Sequence, residues 1–324
     1  MNPALPPALK IGIEALLEGV SRKELAEKAA AISQVYRTGG GSAATVSDQA
    51  AVLAYISSRL PATYAVTAAV FAEIRDAASD VAPKSLLDVG AGPGTASWAA
   101  LETWPDIVQV TMMDCNPAFL AVAGKMAASS PWLARTTFFA ADIRTAAPVR
   151  ADLVVASFVL AEIARSDLKE VIARLWAASN QLLVLIEPGT PEGFVRVRAA
   201  RELLIGEGAN VLAPCTHDNA CPISGSDWCH FSRRLPRSRD HLQVKGASVP
   251  FEDERYCYLA LSRSPPARAN AARIIAPPEA TKAGISLRLC NDRGLQRAFV
   301  SKRERDVYAL LRKAKWGDTI LSDD

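Results

Sequence analysis

Two short stretches of this chain bring together side chains able to cradle a ligand or hold a metal. In Leu86-Leu87-Asp88-Val89-Gly90-Ala91-Gly92-Pro93-Gly94-Thr95 an apolar run ends near a carboxylate, and three glycines follow at alternate positions. Glycines let backbone come close to a ligand, and a helix starting just after them offers unpaired N–H donors. The second stretch places Cys215, Cys221 and Cys229 in a Gly-, Pro- and Asp-containing segment with His217 and His230. Six cysteines in 324 residues do not indicate a disulfide scaffold. Thiols grouped this way hold a metal ion or cluster. Soft thiolates suit zinc or iron–sulfur, and either needs a fourth ligand. His217, His230, Cys257 and Cys290 are the candidates for it. Spacing alone does not choose between zinc and a cluster.

The elements that must position these residues follow from periodicity. Residues 1–80 read as helical, with Ser21-Arg22-Lys23-Glu24 at capping-box spacing and Leu25, Ala29 and Ile32 at helical intervals. Gly39-Gly40-Gly41-Ser42 breaks that pattern, Ser47 opens the next helix and Pro61 interrupts it. Arg37, Arg59 and Arg75 read as solvated charges. From Lys84 short apolar runs alternate with helices: strands at 85–89, 108–113, 136–140, 152–157 and 181–186, helices at 96–101, 117–128, 168–178 and 192–204. That alternation predicts an α/β fold with a mostly parallel, Rossmann-like sheet buried on both faces. Cys257 falls in an apolar strand that pairs back into the sheet and reads as core, and Cys115 reads as a lone packed thiol.

Asp114 closes the second strand about 20 residues after the glycine loop, where a carboxylate can accept ribose hydroxyls. Asp142-Ile143, after the third strand, adds a second acidic site suited to an adenine amino group or, equally, to capping a turn. The Leu-Asp-Val-Gly-Ala-Gly-Pro-Gly form resembles motif I of class I S-adenosylmethionine-dependent methyltransferases. The resemblance implies S-adenosylmethionine bound by Asp88, Gly90, Gly92, Gly94, Asp114, Asp142 and Ile143. The acceptor side is less visible. Ala156-Ser157-Phe158-Val159-Leu160-Ala161-Glu162 lacks the Asn/Asp-Pro-Pro-aromatic element of many nucleic-acid N-methyltransferases, and it has no attacking cysteine. No catalytic residue is assigned.

Cys-Thr-His, Cys-Pro, Asp-Trp-Cys-His-Phe, the strand from Tyr256 to Arg263 and Lys313-Ala314-Lys315-Trp316-Gly317-Asp318 carry a closer likeness. Over roughly residues 45–318 the chain resembles the mitochondrial small-ribosomal-subunit methyltransferase-like proteins and their bacterial relatives. The resemblance implies a [4Fe-4S] cluster on Cys215, Cys221, Cys229 and Cys290, the last in Leu289-Cys290-Asn291-Asp292-Arg293-Gly294. It also implies binding to the small ribosomal subunit and its rRNA during assembly, with methyl transfer to rRNA as the candidate activity. Two further readings stand beside this one: a non-catalytic RNA-binding assembly factor on a methyltransferase scaffold, and a zinc-stapled small-molecule methyltransferase.

Length and composition set the frame. A chain of 324 residues that is 50% hydrophobic can build a sizeable core and suggests two domains, or one with appendages. The expected division is a helical cap over 1–80, a methyltransferase-like domain over 81–263 with the cysteine insertion at about 205–245, and a basic β-rich module over 264–324. That module carries strands at 273–276, 285–289 and 298–301 and a helix at 304–314. Net charge is only +3, yet basic residues gather late in the chain: Arg233, Arg234, Arg237 and Arg239, then Arg297, Lys302, Arg303, Arg305, Arg312, Lys313 and Lys315. With Trp228, Phe231 or Trp316 to stack on bases, they suit RNA phosphates. No run approaches the roughly 18 apolar residues of a membrane span, and no targeting pattern marks the first twenty residues. A soluble cytoplasmic protein with no membrane partner is the expectation.

Overall fold

A computed structural model of the chain describes residues 5–37, 46, 48–128, 130–147, 149–267 and 270–321. Four helices come first: α1 (Pro7–Leu17), α2 (Arg22–Arg37), α3 (Gln49–Ser58) and α4 (Leu60–Ala77). Pro61 opens α4 within its first turn instead of interrupting a helix, because its missing N–H has no partner to lose there. Asp48 caps α3, its carboxylate accepting the Ala51 N–H at 2.7 Å. The expected starts at Ser47 and the break at 39–42 lie outside the described residues.

The sheet follows as β1 (Ser85–Val89), α5 (Thr95–Thr103), β2 (Gln109–Asp114), α6 (Pro117–Ala127), β3 (Thr136–Ala140), β4 (Ala151–Ser157), α7 (Leu168–Ala178), β5 (Ser179–Pro188) and α8 (Pro191–Gly206). Asn116 and Thr190 cap α6 and α8, each just before a proline in the helix's first turn. Three elements sit where no regular structure is expected: β6 (Asn210–Ala213), β7 (Phe231–Pro236) and α9 (Arg239–Lys245). β8 (Phe251–Ser262) is long enough to pair with three neighbours. The chain then forms β9 (Ala271–Ile274), β10 (Glu279–Ala280), β11 (Gly284–Asn291), β12 (Gly294–Ser301), α10 (Arg305–Leu311) and β13 (Thr319–Leu321).

The large sheet runs β3-β2-β1-β4-β5-β8-β6, with β7 also on β8. β1 to β5 pair in parallel, and β8 reverses the direction against β5, β6 and β7. This is the mixed, mostly parallel sheet expected. Between β1 and β4 the strand order reverses, and crevices at such switch points are where α/β sheets bind ligands. The N-terminal helices share one apolar core with the sheet: Leu9, Leu25, Ile56 and Val70 pack in the same cluster as Leu86, Val110 and Val184. Arg59 is not a free surface charge, since its guanidinium bonds Glu254 at 3.2 Å.

The second sheet, β10-β11-β9-β13 with β12 on β11, has its own core of Ala272, Ile274, Ile285, Leu287, Leu289, Val300 and Leu311. The last strand, β13, lies beyond the expected terminal helix.

Candidate functional site

The glycine loop leaves β1 at the switch point. Gly90, Gly92 and Gly94 have φ of +62°, +53° and +83°, the left-handed region that glycine enters without steric cost. Asp88 is buried beneath the loop, and its carboxylate accepts the Ser97 N–H at 3.0 Å and the Ser97 hydroxyl at 2.8 Å, tying β1 to the first turn of α5. Burial pushes Asp88 up to about 7, against the pull of the Ser97 hydrogen bonds. Asp114, at the end of β2, accepts the Gly92 N–H and the Asn116 N–H, both at 2.7 Å. Burial raises it too, with both N–H groups working the other way. Asp88, the three glycines and Asp114 therefore meet at the C-terminal ends of β1 and β2, at the switch point.

Asp142 is held differently. Arg144 grips its carboxylate with Nε at 2.9 Å and Nη2 at 2.6 Å, and the Arg144 N–H adds a third bond at 2.9 Å. These bonds lower Asp142 below the usual carboxylate range, the Arg144 side chain most of all. Asp142 also caps a turn through its backbone oxygen, and Ile143 is buried in the core beside Val89 and Met113.

The turn after β4 closes over the loop. Phe158, at φ +61°, is a non-glycine residue in the left-handed region, a strained conformation that neighbours must hold. Its N–H bonds the Ile186 carbonyl at 2.7 Å, and Glu187 accepts the Leu160 N–H at 2.9 Å. Val159 then fills the space beside Gly90, where a Cβ would sit 2.3 Å from Val159 Cγ2. Glu187 is wholly buried at the end of β5, and burial pushes it up to about 8. The only sign of its role in the sequence is a carboxylate closing a central apolar strand.

The cysteine segment occupies a gap in the sheet. β6 pairs with the end of β8 and β7 with its start, on the same edge, and residues 214–230 run between them. Cys215, Cys221, Cys229, Cys257 and Cys290 line one cavity of about 40 Å³, walled also by Phe194, Val197, Ile223, Phe231 and Leu259. That exceeds the roughly 10–15 Å³ a single water needs. Cys290 comes from β11 of the second sheet, and its Sγ lies 3.8 Å from Nε2 of the buried His217. Burial raises the Cys215, Cys229 and Cys290 thiols, and neighbouring thiols add to the shift. Cys257 donates its S–H towards the Cys229 carbonyl at 3.2 Å, so it is both core and cavity wall. Among the described residues, no three His, Cys, Asp or Glu side chains converge as a site for a single metal ion.

Arginines fasten the cavity. Buried Arg201 donates to the carbonyls of His217 and Asn219, both at 2.8 Å. Buried Arg273, on β9, donates to the Pro214 carbonyl and to Glu73 of α4, each at 2.8 Å. Arg288 on β11 pairs with Asp227 of the cysteine segment. The aromatic residues named for base stacking are packed instead: His230 stacks on Trp228 and meets Trp316 edge-on, Trp228 donates to the Gly189 carbonyl, and Phe231 is buried. Arg234 and Arg237 are taken by Asp253 and Glu252 across the β7–β8 pair. Cys115 is exposed, not packed.

A family model described as mitochondrial small ribosomal subunit Rsm22 matches residues 49–321. The human protein named ribosome assembly protein METTL17, mitochondrial, is 29% identical over 294 residues, covering 83% of this chain and 62% of its own length. The Rsm22-cox11 tandem protein 2, mitochondrial, of Schizosaccharomyces pombe is 29% identical over 327 residues, covering 82% of this chain and 42% of its own. The chain thus spans less than two thirds of either relative. Among solved structures, a putative RNA methyltransferase from Pyrococcus horikoshii overlaps 63% of this chain and 84% of its own at 17% identity and TM-score 0.43, a likeness too loose to bear on function. The expected cytoplasmic location is overturned by these matches, since the family and both relatives are mitochondrial by name. That expectation rested on what the first twenty residues lack, and a missing pattern locates no protein.

Proposed function

The chain belongs to the mitochondrial small ribosomal subunit Rsm22 family, and from that premise we propose that it binds the small ribosomal subunit and its rRNA during assembly. On this reading the α/β domain over 81–263 is a methyltransferase scaffold between a helical cap and a basic C-terminal module. Its glycine loop takes S-adenosylmethionine, with Asp114 on the ribose hydroxyls, Asp88 towards the methionine end and Asp142 with Ile143 at the adenine. Cys215, Cys221, Cys229 and Cys290 hold a [4Fe-4S] cluster. The observation that supports the cluster is that four thiols from two separate segments line one cavity. When bound, the cluster supplies iron–thiolate bonds able to fasten the second sheet to the first.

Support for the scaffold without methyl transfer comes from the turn after β4. Phe158 to Ala161 offers no polar side chain to hold an acceptor, and Val159 packs against Gly90. Transfer, if it occurs, rests on positioning alone.

Anaerobically purified wild type and Cys290→Ser are compared for iron and sulfide content, visible absorption and co-sedimentation with small subunits. Iron and sulfide in equal amounts in the wild type, lost in the variant, are expected. A colourless wild type holding stoichiometric zinc overturns the cluster, and absence from the subunit fraction overturns the ribosomal reading.

A further inference from the structure

We propose that the face of the C-terminal sheet opposite its own core, where Leu295, Arg297 and Phe299 of β12 lie beside Arg288 of β11, binds single-stranded RNA. The proposal rests on the ribosomal reading above and adds to it a surface. β11 and β12 pair with Ser286 opposite Phe299, Arg288 opposite Arg297 and Cys290 opposite Leu295. Strand alternation sends their neighbours Leu287, Leu289, Ala298 and Val300 to the module's core and leaves these pairs on the other face. That face continues from the cysteine cavity, which Cys290 enters, out to solvent at Phe299.

Three observations point to a polyanion. The first is the Arg288–Arg297 pair. Like charges directly opposite across an antiparallel pair destabilise it unless an anion offsets them. Asp227 offsets Arg288, while the exposed Arg297 has no carboxylate partner among the described residues. Second, Phe299 is 54% exposed and Leu295 40%, on a strand that among the described residues pairs only with β11. The Phe299 ring reaches over Gly284, where a Cβ would sit 2.8 Å from Cζ and 2.1 Å from the Val300 carbonyl oxygen. Third, residues 270–321 carry eleven Lys and Arg against five Asp and Glu in a chain of net +3, so the rest is net negative. Arg293 precedes β12 and Lys302 and Arg303 follow it, while Glu279, opposite Ser286 on β10, bounds the track on one side. An exposed ring beside an arginine on an edge strand, with further basic residues at the strand's ends, is what unpaired bases and their phosphates require. A protein partner, which favours apolar contact with few unpaired charges, fits it less well.

The test is fluorescence anisotropy of the full chain with a labelled, unstructured single-stranded RNA across a salt series. Phe299→Ala should weaken binding about tenfold, as loss of one stacked base does. Arg297→Thr should weaken it and lower the salt slope by about 1, yet unfold no earlier than wild type, because it relieves the opposed charges. Leu310→Ala, exposed on α10, should change neither. Equal RNA binding by wild type and both variants overturns the proposal while leaving the ribosomal reading intact. A wild type that ignores the RNA, with variants that lose the small subunit, makes the face a protein-docking surface and also overturns it. Co-sedimentation of the wild type with small subunits, run in parallel, reports on the ribosomal reading separately.

Discussion

The glycine loop closes on partners near it in the chain, whereas the cysteine cavity draws its walls from segments far apart. Asp88 bonds a residue nine positions on, Asp114 one two positions on and one 22 back, and Asp142 one two positions on. Around the cavity, Cys290 meets His217 across 73 residues and Arg273 reaches Glu73 across 200. In the first region Asp88 and Asp114 find hydrogen-bond donors close by in the chain. In the second, four thiols line one cavity, Cys290 buried and Cys215, Cys221 and Cys229 half-buried, with Arg201, Arg273 and Arg288 as the nearby cations. Local satisfaction gives a region that keeps its shape by itself, and long-range convergence gives one whose integrity depends on what joins it.

The largest effect expected from that contrast is on the second region. Cys215→Ser, or iron chelation, should lower stability by several kcal/mol, the scale on which a structural metal site contributes. Hydrogen exchange should rise across β9 to β13 and stay unchanged at β1 and α5. Equal loss of protection in both regions would break the comparison.

Gly90→Ala tests the first region from within. A Cβ there meets Val159 at 2.3 Å on a backbone at φ +62°, so a cost of roughly 1–3 kcal/mol is expected. Val159→Ala added to it should recover the part due to the clash, read by urea denaturation, and no recovery would show that the backbone conformation alone sets the cost.

Titration sets a third test. Burial would raise Glu252, but hydrogen bonds from His241 and Lys245 more than reverse this and take it from 4.5 to about 2. Its contribution to stability is therefore full above pH 4.5 and lost as pH falls towards 2. Asp88, raised from 3.8 to about 7, has the opposite sign: its contribution is full below 3.8 and lost as pH rises to 7. Stability curves for Glu252→Gln should flatten in the acid window and those for Asp88→Asn between pH 4 and 7. Unchanged slopes would show that neither environment is as drawn. The smallest effect belongs to Asp142→Asn, which breaks an exposed pair with Arg144 and should cost within about 1 kcal/mol, measured by thermal unfolding.

The same contrast explains what was legible in the sequence. β1, β2, α6 and α7 stand within a residue or two of their expected bounds, because each apolar run ends at a carboxylate, a glycine or a capping side chain. The switch-point crevice needed only that local grammar. β6, β7 and α9 were not legible: β7 reads Phe-Ser-Arg-Arg-Leu-Pro, and its arginines look like a phosphate-binding run until β8 brings Glu252 and Asp253 opposite them. Trp228 and Trp316 are likewise exposed-looking aromatics that close on His230 from segments nearly 90 residues apart. Arg297 stands in the basic group named from the sequence, but only pairing with β11 shows that it shares a face with Phe299.

Cys290 also sets an order of events during synthesis. By residue 262 every strand of the large sheet has been made, together with four of the cavity's five thiols. The fifth arrives only with β11, after the ribosome has passed the linker at 264–267. A chain that stops early can therefore carry a finished sheet and still lack a closed thiol chamber. Occupancy of that chamber would report that translation has passed β11.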